Sequence, residues 1–179
     1  MKGKVENIFN QLEQTKDSLI TRLDEIDSVL LQKKPTDENW SIVQIISHLE
    51  KIESGTLRYI EKKISVDSSL KGSRLTVSIK GWILRLSQRL PFKYKTNPEL
   101  EEDSNSVNYQ DIKAKWTETR EKMKVMLIRL SEEQLNAPLY KNYAVGYISI
   151  PEQLKFLLIH LQRHIKQIDK TFKKMKIEN

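Results

Sequence analysis

The 179-residue chain contains no cysteine. That absence excludes disulfides, thiolate metal ligands and a cysteine nucleophile, so any thiol chemistry needs a thiol from outside the chain. Glycine and proline are scarce, five of each, which leaves little material for many turns and favours a few long elements. No stretch approaches the ~18 apolar residues of a membrane span, and the opening MKGKVENIFNQ lacks the apolar core of a signal peptide. A cytoplasmic protein is expected. Histidine occurs at three positions, His48, His160 and His164. A chain of this length is expected to form one domain over 1–179 with a core that needs no disulfide or structural metal.

What the sequence does contain is helical periodicity. Ser149 to Phe172 opens with the S-x-x-E spacing of a capping box at Ser149 and Glu152, and Pro151 falls in the first turn, where its missing N–H does no harm. Leu154, Leu157, Leu161, Ile165, Ile168 and Phe172 then recur at helical spacing. Earlier in the chain, Val5 to Leu30 carries apolar residues at steps of three and four, which predicts one long helix from Lys4 to about Leu31. Pro35 and the polar run 36–39 end it. Ser41 and Gln44 form a second capping box, with Trp40 placed to staple onto Ile45, and a helix is predicted from Ile42 to about Ile64. Asp67 to Gly72 reads as a loop, Leu75 to Leu90 as a shorter helix ending at Pro91, and 92–108 as a polar connection. A further helix is predicted over Tyr109 to Leu130, with a short turn at Ser131-Glu132-Glu133. Leu139 to Ile148 reads as an ordered loop. Four long amphipathic segments predict an all-α fold, an antiparallel four-helix bundle with the shorter helix added between the second and fourth long segments.

The histidines are placed alike on two of these helices. His160 and His164 lie one turn apart at the edge of the last apolar stripe, and His48 holds the same angular position beside the stripe of Ile42, Ile45, Ile46 and Leu49. Facing helices of a bundle can bring all three together. Neutral imidazole is a good ligand for zinc, nickel or iron, and three protein ligands with a vacant fourth position are the catalytic rather than the structural pattern. On spacing alone, a histidine beside an apolar stripe is more often an ordinary boundary residue. Leu161 follows His160, so the H-E-x-x-H of zinc peptidases is missing. Ser41 and Tyr59 on the second helix, with Gln153, Gln167 and Thr171 on the last, share the side of the histidines and are candidate pocket contacts. Glu50 and Glu53 are turned away from it.

The segment WSIVQIISHLE at Trp40 to Glu50, followed by GYISIPEQLKFLLIHLQRHIKQI at Gly146 to Ile168, resembles the DinB/YfiT-like family. The resemblance implies a four-helix bundle holding a divalent metal through a histidine of the second helix and an H-x-x-x-H of the last, here His48, His160 and His164. Zinc or nickel is the first expectation for that metal, iron or manganese the alternative. The family implies thiol-dependent S-transfer or isomerisation with a low-molecular-weight thiol as cosubstrate, or metal-dependent hydrolysis, acting on a small molecule, and a homodimer. The catalytic group would be metal-bound water or thiol. Many relatives carry a further polar residue shortly before the final glycine, and no catalytic residue is matched within Lys141 to Gly146.

Charge supplies a second reading. Between Ser68 and Pro98 stand seven basic residues, Lys71 to Lys95, and no acidic one; elsewhere basic residues equal the 24 acidic ones in number, so this segment holds the whole net charge of +7. Interleaved with Trp82, Leu86 and Leu90, segment 71–95 can act as a basic amphipathic element on an anionic partner or a membrane surface. The alternative to an enzyme is therefore a non-catalytic binding protein. No nucleic-acid motif accompanies the charges.

Overall fold

The computed structural model describes residues 3–66, 108–142 and 146–176. The predicted shorter helix Leu75–Leu90 and the basic segment 71–95 lie outside the described residues. Among the latter, long helices dominate, as the periodicity requires. Helix α1 spans Gly3–Asp24 and buries Val5, Phe9, Leu12, Leu19 and Leu23. The chain was expected to continue as one helix to about Leu31. Instead it breaks at 25–27 and restarts as α2, Ser28–Gln32. The reason is local: the Asp27 carboxylate accepts from the backbone N–H of Val29 at 2.9 Å and so caps a new helix. The restart also re-phases the chain, so that Leu31 is fully buried while Leu30 is 36% exposed.

Helix α3 spans Ile42–Val66. Its capping box forms as predicted: Ser41 N–H donates to Gln44 Oε1 at 2.8 Å, and Ser41 Oγ accepts from Gln44 N–H at 3.1 Å. Helix α4, Tyr109–Arg129, is capped by Asn108 and buries Ile112, Trp116, Met123 and Leu127. The turn expected at Ser131 is a short helix, α5, Glu132–Asn136, with a capping box between Ser131 and Gln134. The loop expected over 139–148 contains a two-stranded antiparallel hairpin, β1 Tyr140–Asn142 and β2 Gly146–Ile148, paired Tyr140 to Ile148 and Asn142 to Gly146. Gly146 has φ 76°, a left-handed conformation that suits glycine. Helix α6 spans Ile150–Met175, and the Glu152 carboxylate accepts from both the N–H and the hydroxyl of Ser149, at 3.1 and 2.9 Å.

The four long helices α1, α3, α4 and α6 form the bundle, α1 packing chiefly on α6 and α3 on α4. Across α1 and α4, Tyr109 donates to Asp24 at 2.8 Å and Arg120 to Glu13 at 2.8 Å, so the two helices run antiparallel. Across α3 and α6 the pairs are His48 with His160 and Thr56 with Gln153, again antiparallel. One core contact is ionic. Arg120, 1% exposed, grips Glu53, 2% exposed, through both Nε and Nη2, and Trp116 Nε1 donates to the same carboxylate at 2.7 Å. No helix among the described residues is long and apolar enough to cross a membrane.

Candidate metal centre

The antiparallel contact of α3 with α6 brings the three histidines to one point. His48 Nε2 lies 3.4 Å from His160 Nε2, and His164 Nε2 lies 3.1 Å from the same atom. One ring nitrogen from each residue lies within 4.8 Å of the others. His48 is buried, and His160 and His164 are partly buried. The i, i+4 spacing of the α6 pair supplies two of the nitrogens from a single helix face, and the third comes from the facing helix.

Electrostatics keeps these rings uncharged. Burial, together with the positive field of His164 and Lys51, lowers His48 to about 4. His164 is also lowered to about 4, chiefly by burial and further by Arg163, against the opposing hydrogen bond from Gln167. His160 is pushed well below the ordinary range by burial and by the other two histidines. At neutral pH the cluster therefore holds lone pairs rather than protons. Gln167 Oε1 lies 2.9 Å from His164 Nδ1; an amide oxygen only accepts, so Nδ1 carries the proton and Nε2 presents its lone pair. Nitrogens held ~2.0–2.1 Å from a common tetrahedral ion stand about 3.3 Å apart. The observed separations of 3.1 and 3.4 Å suit that arrangement. Three neutral nitrogen donors are the set that zinc, nickel or iron accepts.

The other candidate residues fall in different places. Gln167 meets the cluster directly. Ser41 is spent on the cap of α3. Gln153, 1% exposed, donates from Nε2 to Thr56 Oγ1 at 3.2 Å. Tyr59 sits against the hairpin, edge-on to Tyr140 with ring centroids 5.0 Å apart, and burial raises its hydroxyl pKa. Thr171 is buried in the last third of α6. Glu53 and Glu50 point to α4, where they bind Arg120 and Thr119. Sequence reasoning left out Phe156, whose ring stacks parallel to that of His160 with centroids 5.7 Å apart. Its position four residues before His160 on one helix was the available signal. Trp40, read as a staple, also stands with its ring 5.3 Å from that of His48.

The pattern of the DinB superfamily matches residues 11–168 of this chain. The uncharacterised protein YuaE of Bacillus subtilis strain 168 is 23% identical over 145 residues, which cover 81% of this chain and 85% of YuaE. Among solved structures, YfiT from Bacillus subtilis, described as a probable metal-dependent hydrolase with an unusual four-helix bundle topology, superposes with a TM-score of 0.63 at 16% identity, over 97% of this chain and 89% of YfiT. At that identity the likeness to YfiT is one of fold.

Proposed function

The chain belongs to the DinB superfamily, and from that premise we propose that it is a metal-dependent enzyme of small molecules whose nucleophile, water or a low-molecular-weight thiol, comes from outside the chain. The observation that carries this reading is the convergence of three uncharged imidazoles from two helices, with no carboxylate joining them among the described residues. His48, His160 and His164 would hold the divalent ion, zinc or nickel in the first instance. When bound, such an ion lowers the pKa of a ligated water toward ~7 or keeps a thiol as thiolate. The description of YfiT as a probable metal-dependent hydrolase supports the hydrolytic form, and the absence of cysteine makes the transfer form depend on a thiol cosubstrate.

The protein's own part is to bind, orient and shield. Three neutral donors leave the charge of a divalent ion uncompensated, which favours an anionic nucleophile beside it. Gln167 holds His164 in the tautomer that exposes Nε2. Trp40 and Phe156 stand as aromatic walls beside His48 and His160. Glu50 and Glu53 are engaged with α4 and so take no proton at the site.

The test is elemental analysis of the protein beside His48→Ala and His160→Ala variants, followed by turnover assays with activated esters and with a thiol plus an electrophile. About one equivalent of metal in the parent, lost in both variants together with turnover, is the expected outcome. A parent that takes up no zinc, nickel, iron or manganese would overturn the reading.

A further inference from the structure

Gln153 carries an unusual burden for a residue 1% exposed: its Oε1 is buried with no hydrogen-bond partner among the described residues. The amide is held by a single neighbour. Thr56 Oγ1 donates its one hydrogen to the carbonyl of Ile52 at 2.9 Å. With that bond made, the hydroxyl accepts from the Gln153 NH₂ group at 3.2 Å. Flipping the amide would give up the Thr56 bond to Ile52 and leave the NH₂ end unpaired in place of Oε1, so one end of the amide lacks a partner in either orientation. Oε1 thus has no donor among the described residues, and a buried unpaired polar group costs free energy that evolution ordinarily removes with an apolar side chain.

The position of this acceptor is not arbitrary. Gln153 and His160 are seven residues apart on α6, two helical turns, so they occupy one stripe about 10 Å apart along the axis. Between them on that stripe is Phe156, partly exposed, its ring stacked on His160. The stripe therefore runs from a cluster of lone pairs, along an apolar ring face, to a buried acceptor.

Resting on the metal-centre reading above, we infer that Gln153 is a specificity-determining contact for the ligand of the histidine cluster. The ligand carries an N–H or O–H donor on an apolar spacer that lies over Phe156, and this donor completes Gln153 Oε1. A substrate or thiol cosubstrate bearing an amide or hydroxyl a fixed distance from its metal-binding atom has this chemistry, whereas a simple alkyl compound does not.

The cobalt-loaded protein tests it, with a series of ω-mercapto alcohols of increasing chain length and the alkanethiols of equal length as probes, and the sulfur-to-cobalt absorption band as readout. The hydroxyl should improve affinity about tenfold, the value of one good buried hydrogen bond, at one chain length and not at the others. That advantage should vanish in Gln153→Leu and in Gln153→Met, which preserves the shape should Leu disturb packing, while the plain alkanethiols bind as before. No hydroxyl preference at any length, or a preference retained in both variants, would overturn the assignment; a buried water completing Oε1 would give the first of these results. Cobalt content, measured on the same samples, separates the two levels: about one equivalent with no preference removes the subsite alone, and no cobalt removes the metal centre and the subsite with it.

Discussion

Nδ1 of His164 donates to Gln167 Oε1 at 2.9 Å, three residues on along the same helix, and this bond decides which nitrogen of His164 faces the cluster. A partner of this kind fixes the tautomer of a ligating imidazole and raises its basicity. Replacing Gln167 by Leu frees the ring to rotate and to shift its proton. Metal affinity should then fall about 10- to 100-fold, with the helix content unchanged. Competition against a chelator of known affinity checks this. An unchanged affinity would mean that Gln167 is a bystander.

The neutral state of the cluster predicts a pH dependence for the metal-free protein. His48 and His164 titrate near 4 when folded and have an ordinary value of 6.5. Above that ordinary value both folded and unfolded chains hold neutral rings, and the groups have no effect. As the pH falls from 6.5 toward 4, the unfolded chain takes up protons that the folded one refuses, so stability drops; below that the folded protein protonates too and the dependence flattens. For His48 alone the full difference is roughly 3 kcal/mol at most. Denaturant midpoints followed across this range should decline in the parent and decline less in His48→Gln. Equal slopes would contradict the burial argument.

The sequence makes some of this legible and hides the rest for identifiable reasons. The last helix could be read nearly to its ends, because Ser149, Pro151 and Glu152 mark its start and the stripe from Leu154 to Phe172 marks its face. The cluster was legible only in part: the same angular offset beside two stripes allows His48 and the α6 pair to converge, but spacing alone favours ordinary boundary residues, and it was the family resemblance that singled the three out as a ligand set. The break after Asp24 was hidden, since Ile26 and Leu30 continue the old spacing while the cap at Asp27 overrides it. Strands of three residues are too short to reveal alternation, so the hairpin at Tyr140 read as a loop. Arg120 looks like a surface residue of α4, and the carboxylates of Glu53 and Glu13, 67 and 107 positions away, make its burial tolerable.

The cap at Asp27 yields a prediction of its own. Asp27→Ala removes the acceptor for Val29 N–H, at a cost of about 1 kcal/mol. In a chain of this size that lowers the melting temperature by about 2–4 °C. Metal content should stay at the parent value, because the lost bond lies within the first turn of α2 and involves no nitrogen of the cluster. A larger loss would indicate that α2 also anchors the start of α3.

The Glu53–Arg120 pair separates stability from the site. Glu53 lies on α3, five residues beyond His48, yet its carboxylate is bound on both oxygens by Arg120 and also by Trp116. Arg120→Met strands that carboxylate in the core, and the expected loss is about 3–5 kcal/mol. Adding Glu53→Gln removes the stranded charge while keeping an acceptor for Trp116 Nε1, so the double variant should be more stable than Arg120→Met alone. Neither change alters the lone pairs of the cluster, so metal content per folded molecule should match the parent in both. If the double variant proved no more stable than the single one, the loss would lie in the packing of the Arg120 stem rather than in an uncompensated charge. If metal content fell while the fold persisted, Glu53 would have to reach the histidines, against the direction in which α3 turns it.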